Sequence, residues 1–236
     1  ISDSSGGIIT RGGWYGAGNV LDLAISSRTV NVPTSGQSYV GFRVAAKTGT
    51  VSNRIPLTNI VDRSNSNHTS GIGRVDYLYM ISKFLITNAQ YTDFLNSVAA
   101  TDTYGVYNTN MSGQQVGGIL RYGSSGSYTY VCKPDRFNNP VNYVTWYSAA
   151  RYCNWLHNGT PTGSQDLTTT ENGAYTLNGA VTGAFSTNTD SNYYLPDEDE
   201  WVKSAFYNGT DYYTYATQSN TPPTAVTVGP DRDGLF

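Results

Sequence analysis

The sequence contains little charge, few cysteines and histidines, and no long apolar run. Charged residues make up 13 % of the 236 residues, about half of the roughly 25 % typical of soluble domains. No stretch approaches the ~20 apolar residues that a membrane-spanning helix requires, so no membrane span is expected. With a net charge of −3, the chain has no basic excess to bind phosphates, so no nucleic-acid partner is expected either.

Hydrogen-bonding residues take the place of the missing charges. The chain has 20 Tyr and 25 Gly, together with abundant Asn, Thr and Ser. Two surfaces of this kind can meet at little desolvation cost, and tyrosine offers contact area at low rotamer entropy. The composition fits an extracellular or cell-surface protein, either an ordinary secreted domain or one used in adhesion or assembly.

The two cysteines, Cys132 and Cys153, lie 21 residues apart in the sequence. In an oxidising compartment they can form one disulfide. Cys153 falls in a predicted helix beside Trp155 and Leu156, where a buried free thiol is equally compatible with the pattern. No CxxC or histidine-rich spacing indicates a zinc site.

Three segments are predicted to be helices because each has a start signal. Thr87 or Asn88 caps a helix that runs to about residue 100. Thr145 caps a second helix over 146–157, with a stop at 158–159. The third begins at the Leu-Pro-Asp-Glu-Asp-Glu-Trp segment 195–201, whose carboxylates complement the positive end of a helix dipole, and is expected to stop at 208–209.

The remaining sequence predicts short strands and long polar loops. Strands are expected within 40–45, 75–81 and 128–132, the last as one side of a hairpin. Gly/Ser/Thr-rich loops are expected over 117–128 and 166–192. The predicted fold class is therefore α+β, with short β-strands, about three helices and much irregular loop.

Five segments together resemble the formylglycine-generating enzyme, or sulfatase-modifying factor, family. They are ITNAQYTDFL at 86–95, PVNYVTWYSAARYCNWL at 140–156, LPDEDEW at 195–201, RGGWY at 11–15 and GFRVA at 41–45. The resemblance implies a C-type-lectin-like fold and is strongest to the secreted bacterial branch of the family.

The order of these motifs departs from the family, in which the Arg-Gly-Gly and Gly-Phe-Arg segments close the domain. Residues 1–46 therefore resemble the C-terminal part of the fold, and 71–236 resemble its N-terminal and central part. Either the domain is circularly permuted, or 1–46 belong to a preceding module. Under the second alternative, 47–70 form a linker or a segment exchanged between copies.

Catalysis is not expected from the residues present. Oxidases of the family use two cysteines shortly after the Arg-Gly-Gly motif, where thiolate and copper activate oxygen. The corresponding positions here are about Ala17 and Asp22, and neither a methyl group nor a carboxylate replaces a thiolate. The carboxylates at 197–200 are interpreted as helix caps. We expect no enzyme activity, with a copper-dependent oxidase as the least favoured alternative.

The resemblance also suggests where ligands bind. In relatives that bind variable ligands, the exposed surface corresponds to residues 14–39 here, and its candidate residues are Trp14, Tyr15, Asn19, Asp22, Asn31 and Tyr39. Arg28 and Arg43 are instead expected to hold carbonyls or carboxylates. No cofactor is expected except calcium, since Asp231 and Asp233 resemble the start of a calcium loop.

Two functions are therefore expected ahead of catalysis. The first is a non-catalytic extracellular structural protein, such as a fibre, sheath or surface-layer subunit, whose partners are copies of itself. The second is a lectin-like domain that binds a glycan or a cell-surface protein.

Overall fold

Short antiparallel strands and three helices alternate with long irregular segments in the structure, which is a computed structural model describing residues 7–11, 20–113 and 116–223. The strands are β1 (Ile8–Thr10), β2 (Thr29–Asn31), β3 (Ala45–Lys47), β4 (Leu57–Ile60), β5 (Tyr79–Ser82), β6 (Ile119–Tyr122), β7 (Thr129–Cys132) and β8 (Tyr193–Tyr194). The helices are α1 (Asn88–Val98), α2 (Trp146–His157) and α3 (Glu198–Phe206). This arrangement confirms the predicted α+β class.

The helices begin where the sequence places their caps. The Thr87 hydroxyl accepts from the Gln90 amide, and the Gln90 side chain accepts from the Thr87 amide in return, forming a capping box. Thr145 caps α2 in the predicted way. The end of α3 was predicted wrongly: the helix stops at Phe206, because Tyr207 is extended and forms a β-bridge with Tyr212.

Four strands form the central sheet in the order β4-β5-β3-β8, with every pair antiparallel. β3 is an internal strand: Ala45 lies opposite Ile81 of β5 on one side and opposite Tyr194 of β8 on the other. The first 47 residues of the chain thus supply a strand that the later segments surround.

The segment 41–45, which leads into β3, is hydrogen-bonded to the residues around β5 and the start of α1. The Phe42 carbonyl accepts from the Ile86 amide at 2.9 Å, and the Val44 carbonyl accepts from the Ser82 amide at 2.8 Å. Arg43 donates to the Ser82 and Lys83 carbonyls at 2.9 and 3.1 Å, as expected for a residue that binds backbone.

Residues 47–70, predicted to be a linker or exchanged segment, carry β4, which pairs with β5 of the same chain. Ile55, just before β4, is buried in the main core. In this chain the segment is an integral part of the sheet. The division at residues 46 and 70, and the choice between permutation and tandem modules, stay predictions.

The main core lies between α1, α2 and the sheet and is rich in aromatic rings. Tyr152 of α2 stacks on Tyr91 of α1, with ring centroids 5.9 Å apart, and meets Phe94 and Phe42 edge-on. Such pairs contribute about 0.5–1.5 kcal/mol each beyond the area they bury. These contacts join α1, α2 and the segment before β3 into one core.

A buried ion pair orders the polar loop that follows α2. Arg151 donates through Nε and Nη2 to the two carboxylate oxygens of Glu171, both at 2.7 Å. Glu171 also accepts from the Gly179 amide at 2.9 Å, and the Tyr104 ring covers the guanidinium group at 4.5 Å. The pair fastens the loop to the helix without exposing either charge.

The two-stranded ribbon β1–β2 lies outside the central sheet. Arg11 connects it to α3: its guanidinium pairs with the Glu198 carboxylate and donates to the Ile25 carbonyl at 2.6 Å. Arg28 lies 3.3 Å from the same carboxylate, as expected for a residue that holds a carboxylate. Across the described ranges 7–11, 20–113 and 116–223, no helix is long and apolar enough to cross a membrane.

Candidate functional site

A cleft of about 520 Å³ opens where the end of β3, the strand β8 and the start of α3 meet. Lys47 and Thr48 form one wall, and the segment 187–191 forms another. Tyr77 and Tyr194 contribute aromatic rings, and Asp197 and Glu200 contribute carboxyl groups. The size lies within the roughly 300–1,000 Å³ of small-molecule sites.

Glu200 organises this cleft from beneath. Its side chain is 1 % exposed, and its Oε1 accepts from the hydroxyls of both Tyr77, at 3.0 Å, and Tyr194, at 2.8 Å. Its Oε2 accepts from the Asp197 amide at 2.8 Å, while the Asp197 carboxylate accepts from the Glu200 amide at 2.7 Å. One carboxyl group thus completes the capping box of α3 and fixes two tyrosine rings.

Burial changes the acid–base behaviour of this group. Desolvation, followed by the negative charge of Asp197, raises the pKa of Glu200 from 4.5 to about 7. Desolvation also raises the pKa of Asp197. The carboxyl group of Glu200 therefore exchanges its proton near neutral pH, and it lies against two tyrosine hydroxyls.

A second cavity of about 470 Å³ is lined by the β3–β4 segment 47–54 and by residues at and after the end of α2, and it shares Lys47 and Thr48 with the cleft. The Lys47 ammonium group donates to the Thr189 carbonyl at 2.8 Å. This bond joins the loop to the segment 187–191 and so fixes the boundary of the cleft.

The predicted ligand-binding residues do not line either cavity where the structure describes them. Asn31 lies in β2, where its side-chain amide donates to the Thr10 hydroxyl at 2.7 Å. Tyr39 is 38 % exposed and precedes the attached segment 41–45. Trp14, Tyr15 and Asn19 lie outside the described residues, as does the side chain of Asp22, whose backbone belongs to a short 3-10 helix.

The predicted calcium ligands Asp231 and Asp233 also lie outside the described residues. Within the described part of the chain, no group of three or more His, Cys, Asp and Glu side chains is arranged to hold a metal ion.

The two cysteines are buried free thiols in this structure, and the disulfide between them stays a prediction. Cys132 lies in β7 and Cys153 in α2. Burial raises the pKa of Cys132 to about 11 and that of Cys153 further still. Thiols held in this protonated form are poor nucleophiles and poor metal ligands.

Sequence reasoning did not identify the cleft. Tyr77, Tyr194 and Lys47 were not singled out, and Glu200 was interpreted only as part of a helix cap, an interpretation that the capping box confirms. The tyrosines at 77 and 194 and the carboxylate at the third helical position are visible in the sequence, but no local pattern indicates that they meet.

No curated protein and no solved structure matches the chain. The family described as FGE-sulfatase, the sulfatase-modifying factor enzyme 1-like domain, matches residues 61–229. This range includes the strands β5 to β8 and all three helices, and it covers more than half of the chain. The chain therefore belongs to the sulfatase-modifying factor family.

Proposed function

We propose that this chain is a non-catalytic, extracellular structural protein that assembles with copies of itself. The observation that carries the proposal is the ribbon β1–β2. Among the described residues, its two strands pair with each other and with no other strand. A two-stranded ribbon is marginally stable alone in water and gains stability when another strand is added at an edge.

Exposed apolar side chains on and beside the ribbon support the same role. Val30 lies within β2 and is exposed. Val32 follows the end of β2 two residues later, and it is 61 % exposed. Leu21 is also exposed. Few charges need to be desolvated when two copies meet, because only 13 % of the residues are charged.

Two properties of the thiols support a non-catalytic role. Both described cysteines are buried, and burial raises the pKa of each. A thiol-dependent oxygen activation would need an accessible thiolate of lowered pKa.

The low-charge, Tyr-rich composition supports the extracellular location.

Sedimentation velocity and electron microscopy of the purified chain test the proposal. We expect association that grows with protein concentration, and we expect the double variant Val30→Lys, Val32→Lys to abolish it, because lysine on an edge strand opposes strand addition. Val181→Lys, at an exposed position outside the ribbon, is the matched control. A wild-type chain that stays monomeric at about 100 µM, well above the roughly micromolar range of moderate affinities, refutes the proposal.

A further inference from the structure

The cleft beside α3 shares no lining residue with the ribbon β1–β2, and hydrogen bonds hold its aromatic walls in place before any ligand binds. Tyr77 and Tyr194 donate to one oxygen of the buried Glu200 carboxyl group. Tyr77 also meets the buried Tyr79 ring edge-on, with centroids 6.1 Å apart. Even so, the Tyr77 residue is 46 % exposed. A ring held in this way loses little conformational freedom on binding.

The rim of the cleft supplies hydrogen-bonding groups. Lys47 uses one of its three N–H donors on the Thr189 carbonyl, so its remaining donors can reach a ligand. The side chains of Thr48 and Thr189 are exposed at the same rim. Aromatic faces and hydroxyl-binding groups therefore occur together around one cavity.

The charges of the cleft select between classes of ligand. Asp197 and Glu200 both line it, against the single ammonium group of Lys47. An anionic ligand would approach two carboxyl groups, and a purely apolar ligand would leave the polar rim without partners. A neutral ligand with many hydroxyl groups and apolar C–H faces satisfies both sets of groups.

We propose that this cleft binds a neutral carbohydrate, with a sugar face stacked on Tyr77 and sugar hydroxyls bonded to Lys47 and Thr48. Tyr194 forms the second aromatic wall. Glu200 is a positioning residue that holds both rings.

Saturation-transfer NMR and calorimetric titration test the proposal with four probes. The neutral probes are maltotriose, cellotriose and triacetylchitotriose, and the anionic probe is trigalacturonate. We expect at least one neutral trisaccharide to bind with a Kd of about 1 mM or below. At pH 8.5, where the Glu200 carboxyl group is ionised and adds to the charge of Asp197, we expect trigalacturonate to bind about tenfold more weakly.

Variants assign the binding to the cleft. Tyr77→Ala should weaken binding about tenfold, whereas Tyr77→Phe keeps the ring face and should weaken it only about twofold to threefold. Tyr122→Ala, which removes a tyrosine of β6 that is 53 % exposed and outside the cleft, should have no effect. If Tyr77→Ala does not fold, Lys47→Ala takes its place with the same expectation.

Three results overturn the proposal: no neutral probe binds at about 10 mM, far above the expected Kd; the anionic probe binds more tightly; or Tyr122→Ala weakens binding as much as Tyr77→Ala. None of these results bears on the assembly proposal. That proposal is tested by association of the chain and by variants of Val30 and Val32, which do not line the cleft.

Discussion

The buried carboxyl group of Glu200 makes the stability of the fold depend on pH in a defined direction. Its pKa is about 7 in the folded chain against an ordinary value of 4.5. A difference of this size corresponds to about 3 kcal/mol at 1.36 kcal/mol per pH unit. Because Glu200 is almost fully buried, solvent screening reduces this value little.

The sign follows from which state holds the proton. Below pH 4.5 both states are protonated, and the contribution of the neutral carboxyl group to folding is fully present. As the pH rises towards 7, the unfolded chain releases the proton first, so the free energy of unfolding falls. Above about pH 7 both states are ionised, and the loss of about 3 kcal/mol is complete.

The substitution Glu200→Gln removes this dependence and can keep the capping box, since the side-chain oxygen of Gln90 accepts the equivalent amide in α1. The amide nitrogen of the new side chain then donates to the tyrosine hydroxyls, which accept instead of donating. We expect the variant and the wild type to have similar free energies of unfolding at pH 5. At pH 8.5 the variant should be more stable by up to about 3 kcal/mol. Urea unfolding, followed by tryptophan fluorescence at both pH values, measures the difference.

Asp135→Asn is the control, because it also replaces a carboxylate by an amide, but at an exposed position. It should change the free energy of unfolding by no more than a few tenths of a kcal/mol at either pH. If Glu200→Gln destabilises the chain equally at pH 5 and 8.5, the carboxylate is needed in its charged form and the reasoning is refuted.

Three further predictions concern the interior. Glu171→Gln should lower the free energy of unfolding by about 3–5 kcal/mol, because it leaves the charge of Arg151 buried without its partner; an unchanged urea midpoint contradicts this. Gly118→Ala should cost about 1–3 kcal/mol, since a Cβ at that position overlaps the side-chain amide of Asn88; a thermal melt that does not shift shows that the two segments separate easily. A thiol reagent should label no cysteine in the folded chain at pH 8 and both cysteines after denaturation without reductant, whereas no labelling of the denatured chain shows a disulfide.

The sequence predicted the helices well because their signals are local. Thr145 caps α2 at the expected residue, and α1 begins one residue after Thr87. A capping residue and a 3.6-residue period involve only neighbouring positions.

Strand positions depend on distant partners and were predicted less well. The strand expected within 40–45 lies at Ala45–Lys47, because pairing with β5 and β8 begins only at Ala45. β6 was expected to be loop, since its Gly- and Ser-rich surroundings conceal a strand that β7 stabilises.

The cleft could not be predicted for the same reason. Tyr77 and Tyr194 are separated by more than a hundred residues, and they converge on Glu200 only because β3 brings β5 and β8 into one sheet. No local pattern in the sequence encodes that meeting.

The internal position of β3 has a consequence for how the protein is made. Ala45 leaves the ribosome long before its partner Tyr194, and at about 5–20 residues per second the delay amounts to roughly 7–30 s. During that interval β3 has no β8 of its own chain to pair with. On a polysome, where neighbouring nascent chains are crowded together, the unpaired β3 of one chain can pair with the newly synthesised β8 of another.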